Sequence, residues 1–196
     1  MSANEEFRAD IAAAVAALRR GEVILYPTDT VWGLGCDATN ADAVEKIYRI
    51  KRRSDSKALI TLVGNLAQLE RTVDGIPEVA YDLIEYSDRP LTIVYDGAAP
   101  GARIAPNLTA ADGTLGVRVT SEPFSRQLCT AFGRPLVSTS ANISGASTPR
   151  CFAEIDPEII AAADYVCTSR RDDGAGARPS SVMRLSADGM FKILRP

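Results

Sequence analysis

Histidine is absent from this chain of 196 residues. Without an imidazole, no Ser-His-Asp or Cys-His nucleophile pair and no His-ligated metal site can be assembled. Cysteine is scarce: Cys36, Cys129, Cys151 and Cys167 lie far apart and form no C-x-x-C. That spacing fits neither a zinc ribbon nor a dithiol redox motif, and buried free thiols in a reducing compartment are expected. No apolar run approaches the roughly 18 residues of a membrane span. The first residues, Met1-Ser2-Ala3-Asn4-Glu5-Glu6, are acidic. A signal peptide begins basic, so a cytoplasmic protein is expected. Positive charge is not in excess either, with 22 Lys+Arg against 25 Asp+Glu and a net charge of −3. The whole-chain field therefore does not favour nucleic acid or anionic membrane, and phosphate binding must rest on a local basic cluster.

The remaining composition, 46% hydrophobic and 24% charged, is that of an ordinary globular protein. The length predicts one domain over 1–196 that buries roughly 70% of its unfolded surface without a covalent staple. Apolar residues at helical spacing (Phe7, Ile11, Ala14, Val15, Leu18) predict a helix over 4–20, capped by Asn4 and stopped by Gly21. Val23-Ile24-Leu25-Tyr26 predicts a buried strand between Gly21 and Pro27. Further helices are expected at 40–51, 65–72, 77–86, 123–132 and 157–163, with strands at 58–63, 91–95, 114–119, 136–139 and 164–168. A hairpin of strands 180–185 and 190–195 turns at Ala187-Asp188-Gly189, and 97–113 and 169–179 read as long loops. Alternation of helix and strand implies an α/β fold: a twisted, mostly parallel or mixed sheet with flanking helices.

Three segments have residues suited to chemistry. Pro27-Thr28-Asp29-Thr30 leaves the first strand at its C-terminal end, where open α/β sheets place ligands. Thr28 and Thr30 offer hydroxyls there, and Gly33 and Gly35 permit close backbone approach. The alternative is a turn whose threonines bond their own backbone. No G-x-x-x-x-G-K-[ST] occurs, so ATP, if used, is not held by a Walker loop.

The second segment is the cluster Arg49, Lys51, Arg52, Arg53 and Lys57. Lys51 continues the inward stripe of Val44, Ile47 and Tyr48 at i+7 from Val44. An ammonium there is costly unless an anion meets it or the side chain snorkels to water. Lys51, Arg53 and Lys57 together suggest a triphosphate clamp, while Arg49 and Arg52 read as a solvated face. The third segment follows from strand parity. Thr114, Arg118 and Thr120 share one face opposite Leu115, Val117 and Val119, and Ser138 and Ser140 share a face of their own strand. Either the sheet has one wet face, or small hydroxyls and an arginine line a polar cavity for an anion such as a carboxylate.

Four blocks, in order, resemble the YrdC/Sua5 family of threonylcarbamoyl-AMP synthases. They are PTDTVWGLGCDA at 27–38, KRRSDSKALI at 51–60, GVRV at 116–119 running to STSANISG at 138–145, and PSSVMRL at 179–185 with ILRP at 193–196. The resemblance implies a YrdC-like fold around a basic cavity. It also implies the reaction of L-threonine, bicarbonate and ATP to threonylcarbamoyl-AMP and pyrophosphate, for the modification of the tRNA adenosine beside the anticodon. By matched position, Lys51, Arg53 and Lys57 contact ATP phosphates, with Lys51 and Arg53 the catalytic pair. Thr114, Ser140, Asn142, Thr148 and Arg195 hold the nucleotide. Thr30, Arg118, Ser138 and Ser180 hold threonine, with Arg118 on its carboxylate. Mg²⁺ accompanies ATP and needs few protein ligands.

Longer family members have a histidine where Leu62 stands, and a further C-terminal domain. The resemblance is therefore to the shorter, single-domain YrdC/TsaC-like type, whose partners are separate tRNA threonylcarbamoyl-transferase proteins. A structured-RNA-binding module, with tRNA or double-stranded RNA as partner, is the alternative function of the same fold. A carbamoyl-transfer domain of hydrogenase maturation proteins is less fitting, because their C-x-x-C modules are missing here.

Overall fold

The computed structural model describes residues 2–53, 59–174 and 179–196. Helix α1 (Ala3–Arg19) begins one turn earlier in character than its apolar stripe suggests, because Ser2 and Glu5 form a reciprocal cap. The Ser2 hydroxyl accepts the Glu5 N–H at 3.3 Å while the Glu5 carboxylate accepts the Ser2 N–H at 2.7 Å. Asn4, the expected cap, therefore lies inside the first turn. Helices α2 (Ala41–Ile50) and α3 (Leu66–Thr72) are capped by Asn40 and Asn65, which accept backbone N–H groups two and three residues on. Helix α4 spans Val79–Glu85, α5 Pro123–Phe132 and α6 Pro157–Ala162.

The strands are β1 (Ile24–Tyr26), β2 (Gly33–Gly35), β3 (Ile60–Val63), β4 (Leu91–Tyr95), β5 (Leu115–Val119), β6 (Leu136–Ser140), β7 (Tyr165–Val166), β8 (Ser181–Leu185) and β9 (Phe191–Arg195). They form one sheet in the order β7-β1-β2-β6-β3-β5-β4-β8-β9. Among the described residues β1/β7, β3/β5 and β4/β8 run parallel and the other five pairs antiparallel. Of the two sheets expected from sequence, the mixed one is therefore found. Short connections explain it: the loop between β1 and β2 and the Asp188-Gly189 turn between β8 and β9 are too short for a parallel crossover.

β2 was not anticipated, and neither were the 3-10 turns at Pro106–Leu108 and Phe152–Glu154. Gly33-Leu34-Gly35 carries no strand-forming bias of its own; its flanking partners β1 and β6 impose the conformation. The glycines are needed for packing rather than for ligand approach at Gly35, where a Cβ would lie 2.6 Å from the Tyr26 ring and 2.7 Å from the Val137 carbonyl oxygen. Cys36, Cys129 and Cys167 are buried as expected, while Cys151 is only half-buried, beside the surface turn at Phe152.

Strand parity divides β5 cleanly. Leu115 and Val117 are buried in the apolar core. Thr114, Gly116 and Arg118 point the other way and line a cavity. The polar-cavity reading of that face is the one the fold adopts.

Candidate active site

The cavity has a volume of about 360 Å³ and opens over the sheet face formed by β3 to β6 and β8. β5 contributes Gly116 and Arg118, with Thr114 immediately before it, and β6 contributes Ser138 and Ser140. Ser180, at the start of β8, and Arg195, at the end of β9, complete the far wall. Thr30 enters from the loop after β1, and exposed Thr148 stands at the rim. A second recess of about 300 Å³ shares Arg53 and Ser140 with the first and adds Lys51 and Asn142. Eleven of the twelve expected site residues thus line two neighbouring recesses that share Arg53 and Ser140. The twelfth, Lys57, lies outside the described residues.

Arg53 reaches this shared wall because α2 ends in a tight C-terminal motif. The Arg53 N–H donates to the Tyr48 carbonyl and the Arg52 N–H to that of Arg49, both at 3.0 Å. Arg52 takes the left-handed position (φ 50°) that glycine usually occupies there. It is exposed and paired with Glu158, so the solvated face expected of Arg49 and Arg52 is found.

Lys51 stays on the inward stripe rather than reaching for water. It is 2% exposed, so it does not snorkel. Its ammonium donates to the carbonyl oxygens of Ser140 at 2.5 Å and Asn142 at 2.7 Å. Burial, and secondarily the charge of Arg53, pull its pKa down to about 8. Burial likewise lowers that of Arg53. Asn142 is turned inward on its own loop, its amide donating to the Ile143 and Ala146 carbonyls at 3.0 and 2.9 Å.

At the other end Arg118, 4% exposed, pairs with buried Asp29 at 3.1 Å and donates a long hydrogen bond of 3.4 Å to the Thr30 hydroxyl. Its Nε is buried without a partner. Burial raises the pKa of Asp29, and the Arg118 charge opposes that rise. Both readings of the Pro27–Thr30 turn are realised: Thr28 bonds its own backbone at Val31 O and Thr30 N, while Thr30 lines the cavity. Ser180 hydrogen-bonds Thr92 at 2.9 Å, and the Arg195 guanidinium clasps the Ser180 carbonyl at 2.7 and 3.0 Å.

Asp29, Thr92 and Gly116 were missed from sequence. Asp29 carried a signal, since an acid in an otherwise buried segment requires a cationic partner. Gly116 was legible by parity, between Thr114 and Arg118. No Asp or Glu occurs among the described residues lining the two recesses. This donor set of cations, hydroxyls and carbonyls does not fit a divalent ion held by the protein; it fits one that arrives on a polyphosphate.

The Sua5/YciO/YrdC family profile, described as "Telomere recombination", matches residues 16–196. A protein of Pseudoalteromonas translucida named threonylcarbamoyl-AMP synthase is 41% identical over 176 residues, covering 88% of this chain and 91% of its own. Among solved structures, P. abyssi Sua5 complexed with L-threonine superposes with a TM-score of 0.79 at 28% identity, over 89% of this chain. This chain spans half the length of that one, with a coverage of 50%. E. coli YciO gives 0.80 at 27% identity, covering 94% of this chain and 87% of its own.

Proposed function

The chain belongs to the Sua5/YciO/YrdC family, and from that premise we propose that it is a threonylcarbamoyl-AMP synthase acting in tRNA modification. The observation that carries this reading is that two neighbouring recesses share Arg53 and Ser140 in their walls. One end presents a buried guanidinium, Arg118, suited to an amino-acid carboxylate. The other presents Lys51 and Arg53, suited to phosphates.

The reaction needs no protein nucleophile. The threonine amine attacks bicarbonate to give the carbamate and water, and a carbamate oxygen then attacks the α-phosphorus of ATP, releasing pyrophosphate. The residues contribute position and charge. Arg118, Thr30, Ser138 and Ser180 hold threonine. Arg53, Lys51 and Lys57 neutralise phosphate charge as it shifts to the leaving group. Thr114, Ser140, Asn142, Thr148 and Arg195 hold the rest of the nucleotide. Mg²⁺ enters as part of the ATP substrate. Residues 1–196 act as one domain in the cytoplasm, passing the product to separate transferase proteins.

A structured-RNA binder is less well supported. Lys51 and Arg118 are 2% and 4% exposed, out of reach of a polymer backbone. Pyrophosphate release measured with each substrate omitted in turn tests the proposal. Release that requires threonine, bicarbonate and ATP together is expected, and a folded sample releasing none overturns it.

A further inference from the structure

Three hydroxyl-bearing hydrogen bonds at the Arg118 end have a forced direction. The Val31 carbonyl oxygen can only accept, and the Thr28 hydroxyl lies 2.7 Å from it, so the single Thr28 proton is spent there. The oxygen of Thr28 also accepts the Thr30 N–H at 3.1 Å. The two threonine hydroxyls are 3.0 Å apart. With the Thr28 proton already committed, the proton in that bond belongs to Thr30. Thr28 is then saturated: one donor and two acceptor positions, all used. Thr30 retains its two lone pairs, one of which receives the long bond from Arg118 at 3.4 Å. What Thr30 presents to the cavity is a lone acceptor and no proton.

Resting on the synthase reading, we propose that Thr30 receives an N–H of the substrate's α-amine and that Thr28, which touches no substrate, is the positioning residue that fixes this polarity. The geometry suits an α-amino acid. Its carboxylate and amine are separated by one carbon, and Arg118 and Thr30 are themselves neighbours. Both line the same cavity, so a carboxylate drawn to the Arg118 guanidinium sets its amine beside the free lone pair of Thr30. The amine is the atom that must attack bicarbonate, so orienting its N–H also orients its electron pair. Selection falls on molecules with a donor at that carbon, since one without it leaves the remaining lone pair of Thr30 covered and unsatisfied.

The test compares L-threonine with 3-hydroxybutyrate, which keeps the carboxylate and hydroxyl but lacks the amine, by calorimetry on the full chain. The native protein should prefer threonine by about tenfold or more, the worth of one charge-assisted hydrogen bond. Thr28→Val removes the acceptor for the Thr30 proton, which then turns into the cavity and meets the amine N–H. Threonine binding should fall at least fivefold, on the order of one such bond. Binding of 3-hydroxybutyrate should not fall, and Thr28→Ser should restore the native preference. Thr30→Val, with Thr30→Ser as its rescue, gives the same readout should Thr28→Val not fold. If the native protein binds threonine and releases pyrophosphate, but both valine variants keep its preference, the inference fails and the synthase reading stands. If the native protein does not bind threonine, both fail.

Discussion

The Lys51 ammonium lies 2.5 Å from the carbonyl oxygen of Ser140, and the carbonyl oxygen of Lys51 in turn accepts the Ser144 N–H at 2.9 Å. The end of α2 and the loop after β6 are thus tied from both directions, beside the Arg53 and Ser140 walls that the two recesses share. Lys51 is a strut for that loop, with two of its three protons spent on Ser140 and Asn142 and one left for the recess. Lys51→Met keeps the buried stem but deletes the strut. It should lower both the melting temperature and the rate of pyrophosphate release, the latter at least tenfold, as the loss of about 1.4 kcal/mol implies. Arg53→Ala should show a comparable loss of rate in the same assay.

A pH signature follows from the same burial. With its pKa drawn down to about 8, Lys51 releases its proton in the folded protein while the unfolded chain still holds one at the ordinary lysine value. Between those two values the unfolded state binds more protons, so the contribution of Lys51 to stability rises with pH from about 8 upward. Below that window the cost of the buried charge is fully present. Thermal melts of the native protein and Lys51→Met at pH 7.5, 8.5 and 9.5 should show the gap changing in favour of the native protein as pH rises. A gap independent of pH sinks the assignment.

Much of this architecture was readable from residues that obey a local period. The parity of Thr114 and Arg118, before and within β5, and the i+7 step from Val44 to Lys51, placed both charges on the correct faces because periodicity is a property of the backbone. Their partners were not readable. Asp29 meets Arg118, and Lys51 meets Ser140, only after β1, α2, β5 and β6 are brought together by the sheet order. β2 illustrates the same limit from the side of local structure, since its two glycines become a strand through pairing alone.

Away from the site, Asp10 ties α1 to the end of β7. Its carboxylate accepts the Tyr165 hydroxyl at 2.6 Å and the backbone N–H groups of Thr168 and Ser169 at 2.9 and 2.7 Å. Burial raises its pKa, but the hydrogen bonds from Ser169, Tyr165 and Thr168 outweigh that and hold it below the usual carboxylate value. A depressed value means that this stability is present above the unfolded pKa and lost as pH falls through the folded one. Asp10→Asn should cost about 1–3 kcal/mol at neutral pH and flatten the acid limb of the stability profile, read by urea unfolding from pH 7 to pH 3.

Gly35 and Gly116 make opposite predictions. A Cβ at Gly35 would press on a buried ring and a backbone carbonyl, and neither can retreat without moving β1 or β6. Gly35→Ala should therefore destabilise the fold by roughly 1–3 kcal/mol, seen as a lower denaturation midpoint.

At Gly116 a Cβ would meet the Thr92 and Val94 methyl carbons at 3.7 and 3.8 Å, which is ordinary van der Waals contact. The fold has room for a side chain there, and a β-branched residue suits the middle of β5 better than glycine does. What the position keeps open is the cavity floor, between Thr114 and Arg118 on the same strand face. Gly116→Val should leave the melting temperature unchanged or slightly higher while reducing pyrophosphate release at least tenfold, about 1.4 kcal/mol of lost complementarity. Stability and activity are thus expected to move in different directions at one residue. A variant that is stable and fully active would mean that substrates do not occupy the space above β5, and that the cavity described here is not where the reaction takes place.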